Sequence, residues 1–354
     1  MRVLALACFA AMLGTSCSSL PESAEELEAT EETGYFSNLR QLTFGGQNAE
    51  AYWSPDGTKL VFQSTRGDAS CDQIYVMNAD GSDQRMVSTG QGVTTCGYFL
   101  PDNNGIVYAS THLVGSDCPP RPDRSQGYVW PVHAGYDLFL TDIDGSEPKR
   151  LTDTAGYDAE GTVNWADDKI VYTSMASGDL DLWSMNLDGS NKTRLTTTFG
   201  YDGGAFFSRD GMSLVLRANH PAEGADSDRY TELLEQNLTA PMRMELFLAE
   251  ADGSGMRQLT DFGCASFAPQ FTPDGASIIF SSNKNDCDSR NFDLFMIGVN
   301  GSNLRQITDF GGFTSFAEFS PDGTQVVFSS DREASSPYEF NIFVADWNGD
   351  ATSP

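Results

Sequence analysis

The sequence contains few cationic side chains. Only 21 of its 354 residues are Lys or Arg, against 50 Asp or Glu, and the formal net charge is −29. A protein that binds DNA or RNA needs a dense cationic surface to neutralise phosphates, so nucleic acid is not expected as a partner. Hydrophobic residues make up 40% of the chain. That content is sufficient for a substantial buried core.

Signatures of common catalytic sites are also missing. The sequence has no Gly-x-Ser-x-Gly elbow, no His-Glu-x-x-His motif and no Gly-rich phosphate-binding loop. These are the local patterns of serine hydrolases, zinc peptidases and nucleotide hydrolases. Histidine, the most frequent acid or base in catalysis, occurs only three times. These absences favour a non-enzymatic role.

The longest apolar run is too short to cross a bilayer. It covers residues 3–13, follows Met1 and Arg2, and precedes the small residues Gly14, Thr15 and Ser16. A short cationic start, an apolar stretch of this length and small residues are typical of a secretory signal. Residues 1–16 are therefore interpreted as a signal peptide.

Cys17 directly follows these small residues, which resembles a bacterial lipoprotein signal, in which the cysteine becomes the lipidated N-terminus. An outer-membrane lipoprotein in the periplasm or at the cell surface is then expected, in contact with the membrane only through its lipid. Plain secretory cleavage is the alternative. Residues 17–37 are acidic and rich in Ser and Thr, which predicts a tether with little to bury.

The rest of the chain is repetitive. The sequence AYWSPDG at residues 51–57 recurs as PQFTPDG at 269–275 and AEFSPDG at 317–323, and weaker copies lie between them. Each copy precedes an alternating run such as LVFQS or VVFSS, a second strand that ends in Asp-Gly or Asn-Gly, and a short segment such as RLT or QLT. Asp-Gly and Asn-Gly suit tight hairpins, and Pro followed by Asp-Gly suits a bulged one. Six units of four antiparallel strands, spaced by about 45 residues, predict a six-bladed β-propeller.

The ends of the repeat region predict how the ring closes. The sixth unit lacks its fourth strand, because the tail at residues 350–354 is short and polar, whereas residues 38–43 (NLRQLT) supply an extra strand before the first unit. Pairing of this N-terminal strand with the last blade would leave no open sheet edge. The predicted propeller therefore spans residues 38–349 as a single domain, and we expect a monomer.

These repeats resemble the propeller repeats of the TolB family, a periplasmic component of the Tol system. Related repeats precede prolyl-oligopeptidase-type hydrolase domains. The resemblance rests on the (S/T)-P-D-G turns and the R/Q-L-T strands over residues 38–349. It implies a WD40-like propeller in the cell envelope. No counterpart is expected for the small α/β domain that precedes the propeller in TolB, because only the tether lies before the first repeat.

Unusual residues collect on one face of the predicted propeller, where strand D of one blade joins strand A of the next and strand B joins strand C. Blade 2 has a long B-to-C loop at residues 116–136, and blade 4 has another at residues 219–244 with a short predicted helix. The two loops are expected to wall a cleft above blade 3 or simply to cover each other. Their aromatic residues, and those beside them, are candidate binding residues: Tyr128, Trp130, Tyr136, Tyr157 and Tyr201.

Alignment of the D-to-A loops places a set of carboxylates near this cleft, namely Glu50, Asp158, Glu160 and Asp202. They could form an acidic mouth for a cation, an amine or a basic segment of a partner. The alternative is that the Asp side chains cap backbone amides of the loops.

All three histidines, His112, His133 and His220, fall on the same face. With the nearby carboxylates they could hold a divalent cation such as Zn²⁺ or Mn²⁺. The simpler interpretation is that His112 and His220 replace a structural cation, because other blades have Arg66, Lys284 and Arg332 at this repeat position. No cofactor is therefore expected, with a divalent cation as the alternative.

Five cysteines remain besides Cys8 in the signal and Cys17. Cys264 and Cys287 bracket strands A and B of blade 5 and are the best predicted disulfide in an exported protein. Among Cys71, Cys96 and Cys118 one must remain unpaired, and the expected bond is Cys71–Cys96 or Cys96–Cys118.

The sequence thus predicts a non-enzymatic binding scaffold in the cell envelope. Its partner would be an envelope protein, a peptide or a glycan, bound by the loop face above blades 2–4. The alternative is a metal-dependent lyase or hydrolase that acts on a glycan or peptide at the channel mouth.

Overall fold

The computed structural model describes residues 25–26, 34–123, 125 and 127–349. The predicted signal peptide, Cys17 and the tail at residues 350–354 lie outside the described residues. Two strands precede the first repeat, β1 (Glu25–Glu26) and β2 (Phe36–Gln41). Strand β2 begins two residues before the predicted start of the propeller at residue 38.

The strands of the six repeats follow in chain order. Blade 1 contains β3 (Gln47–Trp53), β4 (Lys59–Thr65), β5 (Gln73–Asn78) and β6 (Arg85–Met86). Blade 2 and its long loop contain β7 (Thr94–Phe99), β8 (Gly105–Ser110), β9 (Trp130–Pro131), β10 (Asp137–Asp142) and β11 (Lys149–Arg150). Blade 3 contains β12 (Asp158–Asn164), β13 (Lys169–Ser174), β14 (Asp181–Asn186) and β15 (Thr193–Arg194).

Blade 4 and its long loop contain β16 (Tyr201–Phe207), β17 (Ser213–Asn219), the helix α1 (Ala225–Leu234), β18 (Leu238–Thr239), β19 (Glu245–Glu250) and β20 (Arg257–Gln258). Blade 5 contains β21 (Ser266–Phe271), β22 (Ser277–Ser282), β23 (Asp293–Gly298) and β24 (Arg305–Gln306). Blade 6 contains β25 (Thr314–Phe319), β26 (Gln325–Ser330) and β27 (Asn341–Trp347). Each blade is an antiparallel sheet, so the predicted six-bladed propeller is confirmed.

The ring closes as the repeats predict. Strand β2 pairs antiparallel with β27, with Phe36 opposite Trp347 and Gln41 opposite Phe343, and so completes blade 6. Strand β1 adds a fifth strand outside it. The two ends of the described chain therefore share one sheet.

The recurrent Leu-Thr segment has a defined structural role. In blades 2 to 5 the threonine Oγ1 accepts a hydrogen bond of 2.9 Å from the second backbone N–H of strand C, as Thr152 does from Leu138. In blade 6 the acceptor is Thr43, which the N-terminal segment supplies, and the N–H of Ile342 donates to it over 2.8 Å. The motif thus links strand D to strand C. In blade 6 this link joins the N-terminal segment to the last strand, β27.

The Pro-Asp-Gly turns also act as their chemistry predicts. In blade 1 the Asp56 carboxylate accepts hydrogen bonds from the Ser54 hydroxyl and the Thr58 N–H, at 2.7 and 3.0 Å. Gly57 has a φ of 70°, the left-handed conformation that glycine adopts at little cost. Aspartates in such hairpin turns therefore have a structural role, because their carboxylates accept hydrogen bonds from the turn itself.

The described helix α1 has 10 residues, and no helix in the described part of the chain is long and apolar enough to span a bilayer.

The closing segment should contribute strongly to stability. Leu42 is 1% exposed and packs with Trp53, Ile342 and Val344. Leu42→Ala is expected to lower the free energy of unfolding by about 2–5 kcal/mol, because it leaves a cavity where the chain ends meet. Arg40→Ala, two residues earlier at a half-buried position of β2, is the control and should cost less than about 1 kcal/mol. Equal effects of the two changes in chemical denaturation would contradict this role of the closing segment.

Candidate functional site

Asp158 and Asp202 lie at the start of the inner strands of blades 3 and 4, but they do not reach the channel mouth. Both are buried, and Asp202 Oδ1 lies 2.8 Å from His220 Nε2. The Asp158 carboxylate accepts a hydrogen bond from Thr154. Burial raises the pKa of Asp158, and hydrogen bonds from Ser174, Thr154 and Thr152 oppose that rise. These two carboxylates therefore belong to the interior of their blades.

The equivalent residues of the other blades are buried polar groups as well. Asn48 accepts a hydrogen bond from Ser64 over 2.7 Å, and the hydroxyls of Thr94 and Ser110 lie 3.1 Å apart. The same contact between strand A and strand B recurs in blades 5 and 6. These polar pairs join strand A to strand B within a blade. Two of the four predicted carboxylates, Asp158 and Asp202, are therefore unavailable to a ligand.

Glu50 and Glu160 do line the central channel, through a bulge that recurs in every inner strand. The strand pairing skips at the bulge, for example between Ala49 and Tyr52 in blade 1. The residue at this point has a positive φ in all six blades, between 51° and 58°. These six residues all line one cavity in the channel: Glu50, Cys96, Glu160, Gly204, Ala268 and Phe316. The bulge therefore directs one residue of each blade toward the axis of the channel.

Glu160 is fully engaged within the channel wall. Its carboxylate forms an ion pair with Arg217 and accepts hydrogen bonds from Tyr201 Oη, Thr173 Oγ1 and the Gly204 N–H at 2.6 to 3.0 Å. Arg217 also donates to Tyr201 Oη over 2.9 Å. Gly203 lies against this cluster, and a Cβ there would come within 2.5 Å of Glu160 Oε2. Glu160 is therefore a structural anion rather than a free ligand group.

Glu50 is the less engaged carboxylate of the channel. It is half-buried and accepts a hydrogen bond from the Cys96 thiol. Burial raises the pKa of Glu50 to about 7, and the Arg217 guanidinium offsets only part of that rise. Burial and the nearby Glu50 carboxylate together hold the pKa of Cys96 well above its usual value, so its thiol stays protonated.

Aromatic side chains fill the channel beneath these groups. The rings of Tyr52, Tyr98 and Phe206 lie 5.4 to 6.2 Å apart. Glu318 lies among them and accepts hydrogen bonds from the Trp53 N–H at 2.6 Å and from Tyr98 Oη at 3.1 Å. Burial raises the pKa of Glu318 to about 8. The channel is thus closed at this level, and its cavity of about 50 Å³ has room for only a few water molecules.

The two long loops pair with each other over blades 2 to 4. Leu238 of β18 lies opposite Pro131 of β9, and Thr239 lies opposite Trp130. Val129, Leu233 and Leu238 form a small apolar core beneath them. We call this paired structure, formed by the described residues of 116–136 and by residues 219–244, the bridge.

The bridge reaches the channel through Trp130. The Arg217 guanidinium lies 5.2 Å from the centre of the Trp130 ring, and Phe267 of blade 5 packs against the edge of that ring at 6.2 Å. Tyr230 of α1 donates a hydrogen bond of 2.6 Å to Asp179 in blade 3. The loops therefore both cover each other and roof one side of the channel mouth.

The predicted aromatic contact residues separate into two groups. Tyr128 is 49% exposed and its hydroxyl accepts a hydrogen bond of 3.1 Å from Trp130 Nε1, while Trp130 is half-buried. Tyr136, Tyr157 and Tyr201 are buried under the bridge. Of the five, Tyr128 presents the largest exposed fraction to a partner.

The three histidines do not converge. His112 packs on Phe139 at 4.3 Å with its Nδ1 2.9 Å from Ser110 Oγ, and His220 packs on Phe247 beside Asp202. His133 packs beside Tyr136 at 6.0 Å. In other blades Arg66, Lys284 and Arg332 stack on aromatic rings at the position of His112 and His220. Among the described residues no group of three His, Cys, Asp or Glu side chains is placed to hold a metal ion.

The cysteines confirm one predicted bond and correct the other. Cys264 and Cys287 form a disulfide with Cα atoms 5.0 Å apart. Cys71 pairs with Cys118, with Cα atoms 5.8 Å apart, and Cys96 is free. Both predicted bonds of Cys96 are therefore wrong. Cys71 and Cys118 lie in the B-to-C loops of neighbouring blades, whereas the bulge in β7 directs Cys96 into the channel.

Sequence reasoning missed two residues of the channel, Arg217 and Glu318. Arg217 occupies a strand B position where other blades have Gln63, Ala109 or Thr173, so an arginine inside a buried strand was the available signal. Glu318 directly precedes a Phe-Ser-Pro-Asp-Gly turn, at the repeat position of Tyr52 in blade 1 and Tyr98 in blade 2. Each is a charged residue at a position that is otherwise uncharged.

Another groove lies between blades 4 and 5, on the face opposite the bridge. It measures about 540 Å³. Its two arginines are held by backbone carbonyls, Arg209 by Ser320 and Arg257 by Val299. Hairpin turns form most of its wall, so it is an open furrow between blades rather than a site with convergent groups.

Comparison with solved structures places the fold among TolB propellers. A putative TolB from Agrobacterium tumefaciens has a TM-score of 0.56 and 17% identity, over 86% of this chain and 91% of that chain. TolB from Acinetobacter baumannii has a TM-score of 0.52 and 15% identity, over 86% of this chain and 64% of that chain. The resemblance predicted from the repeats is confirmed at the level of the fold.

The same fold occurs in proteins with other activities. An oligogalacturonate lyase in complex with manganese has a TM-score of 0.52 and 14% identity, over 93% of this chain and 97% of that chain. No known protein-family model matches the sequence. At these identities the likeness concerns the fold alone, and function has to be argued from the residues.

The raised pKa of Glu50 predicts a pH-dependent cost to stability. Its folded-state pKa of about 7 lies above the ordinary 4.5, so the folded protein retains a proton that the unfolded chain releases. The contribution of this group is fully present at low pH and is lost as the pH rises through about 7. Glu50→Gln should therefore raise the melting temperature at pH 8, by roughly 2–4 °C for each kcal/mol recovered. The difference from the wild type should shrink toward pH 4.5, and a constant difference would contradict the assignment.

The disulfide pattern is directly measurable. Peptide mapping without reductant should yield one linked pair that contains Cys71 and Cys118 and a second that contains Cys264 and Cys287. Cys96 should be alkylated after denaturation, and Cys96→Ser should leave both linked pairs intact. Cys118→Ser should lower the free energy of unfolding by about 2–5 kcal/mol, because it releases a native cross-link. A linked peptide that contains Cys96 would contradict the assignment.

Proposed function

We propose that this TolB-like β-propeller is exported, anchored by a lipid on Cys17, and acts as a non-enzymatic binding scaffold in the cell envelope. The partner would be an envelope protein, a peptide or a glycan, and the protein would act as a monomer. The binding surface would be the loop face above blades 2–4, which includes the outer surface of the bridge.

The distribution of exposed apolar side chains carries this proposal. Ten large hydrophobic residues are exposed in the described part of the chain. Seven of them lie in B-to-C or D-to-A loops, and five of these seven belong to blades 2 to 4 or the loops between them. These five are Leu113, Val114, Tyr128, Phe199 and Met242. Apolar side chains gathered on one face of a strongly acidic protein are typical of an interaction surface.

The residues of the channel mouth support binding rather than chemistry. Glu160 is saturated by Arg217, Tyr201 and Thr173, Asp158 and Asp202 are buried, and the histidines each pack within a separate part of the face. A lyase would need a free base close to a group that neutralises a substrate anion. A solved lyase has the same fold, so the experiment below also measures substrate turnover. Turnover would favour the alternative that this protein is a lyase or hydrolase.

The test is affinity capture from envelope extracts with exposed apolar residues replaced on either face. Leu113→Ser, Val114→Ser and Tyr128→Ser together alter the loop face. Met212→Ser and Leu304→Ser alter exposed apolar residues of the opposite face and serve as the matched control. The loop-face variant is expected to retain at most about a tenth of the captured partner, as loss of a binding hot spot would cause. The control variant should capture as much as the wild type.

Two outcomes would contradict the scaffold. Equal losses from both variants would show that capture does not depend on the loop face. Turnover of a glycan or peptide panel by the wild type, abolished by a chelator, would favour the enzyme. Mass spectrometry of the mature protein tests the anchor separately, since a lipidated Cys17 is expected and an unmodified N-terminus would contradict it.

A further inference from the structure

The bridge covers only half of the channel mouth. Two repeat positions border the mouth of the propeller: the residue before strand C, and the residue before the polar position that Asp158 and Asp202 occupy in strand A of blades 3 and 4. In blades 2 to 4, under the bridge, five of these six positions are buried, and they are occupied by Tyr136, Tyr157, Leu180, Tyr201 and Met244. In blades 5 and 6 three of the four equivalent positions are phenylalanines, Phe292, Phe313 and Phe340, and all three are half-exposed. The fourth is the buried Ala265.

These phenylalanines belong to a continuous aromatic cluster. Phe313 contacts Phe340 at 5.0 Å, Phe292 at 5.7 Å and Phe316 at 6.5 Å between ring centres. Phe267 joins Phe292 and Phe316 to the edge of Trp130 in the bridge. We call the half-exposed members, Phe292, Phe313, Phe316 and Phe340, the Phe rim. Such a patch of partly exposed aromatic rings is typical of a binding surface.

Glu50 lies next to the Phe rim. It shares the channel cavity with Phe316 and Ala268, and its strand β3 is joined to blade 6 by the hydrogen bond of 2.9 Å from the Asn48 N–H to the Phe340 carbonyl. Both Glu50 and Phe316 remain partly exposed. Since aromatic rings close the channel below, a ligand would approach Glu50 from the side of the mouth that the bridge leaves open.

The charge of this cavity is negative. Glu50 and Glu160 contribute two carboxylates, and Arg217 contributes one cation that is already paired with Glu160. With both carboxylates ionised, the three groups sum to one negative charge. A bound group that carries a positive charge would balance it, whereas an anion or a second carboxylate would be repelled.

We propose that the Phe rim and Glu50 together bind the side chain of a lysine or arginine that a partner protein presents to the channel mouth. The alkyl stem would lie on the phenylalanine rings, whose π faces also attract a cation. The charged end would form a charge-assisted hydrogen bond with the Glu50 carboxylate. This inference rests on the proposed scaffold function and specifies the group on the partner that it recognises.

The test uses two short peptides and the full chain. One peptide is acetyl-Gly-Lys-Gly-amide, and the other replaces Lys with norleucine, which retains the alkyl stem but has no charge. Saturation-transfer NMR titrations at pH 8 are expected to give at least about tenfold weaker binding for the norleucine peptide, because it cannot pair with the carboxylate. Arginine in place of lysine should bind within a few fold of the lysine peptide.

Variants assign the binding to this cavity. Glu50→Gln and Phe316→Ala should each weaken the lysine peptide, by about tenfold for Glu50→Gln. Glu147→Gln makes the same chemical change at an exposed glutamate of the opposite face and should leave binding unchanged. Melting curves of each variant verify that the fold is retained.

Three results would overturn the inference: equal binding of the norleucine peptide, an unchanged affinity in Glu50→Gln, or equal losses in Glu50→Gln and Glu147→Gln. The last result would indicate general attraction to an acidic surface. Any of them could occur while partner capture still depends on Leu113, Val114 and Tyr128, in which case the scaffold would stand without this contact. Loss of specific capture together with intact peptide binding would instead remove the scaffold.

Discussion

The structure depends on the hydrogen-bonded pairing of β2 with β27. A propeller blade with an unpaired outer strand position exposes backbone donors and acceptors and leaves the ring free to open between its first and last units. Here the chain uses its own first segment to fill that place, and Thr43 repeats for blade 6 the hydrogen bond that the other blades make within one unit. The central channel, which all six blades line, forms only when the ring is closed by this pairing.

Closure gives the channel an asymmetric environment. Six equivalent inner strands meet at the axis, but only blades 2 to 4 lie beneath the bridge, and Trp130 stacks on Arg217 at its inner edge. On that side the carboxylate Glu160 is enclosed by donors. On the other side Glu50 has the Cys96 thiol and the Phe rim as neighbours. The same backbone geometry therefore produces one structural carboxylate and one that can interact with a ligand.

The repeats were sufficient to predict the blade count, the strand order, the closure and the Cys264–Cys287 bond, because these depend on turn chemistry and on spacing along the chain. They also aligned the bulge residues Glu50 and Glu160 at equivalent positions. The alignment could not tell that Asp158 and Asp202, two residues earlier, turn into the blade, because a bulge reverses the direction of side chains without a mark in the sequence. The Cys71–Cys118 bond depends on how two loops of neighbouring blades meet, which repeat spacing does not encode.

The inner bulge allows the side chains of the channel to differ while the backbone of the inner strands keeps one conformation. Each of the six positions adopts its left-handed conformation whatever its side chain, and the five that are not glycine include an acid, a thiol, a small residue and an aromatic ring. In a residue with a Cβ this conformation costs about 1–2 kcal/mol, because the Cβ comes close to the following carbonyl oxygen. Exchange of one such side chain for another therefore does not change this cost much. A propeller of this kind can acquire a new ligand specificity through substitutions at those axial positions whose side chains, unlike that of Glu160, do not hold the channel wall together.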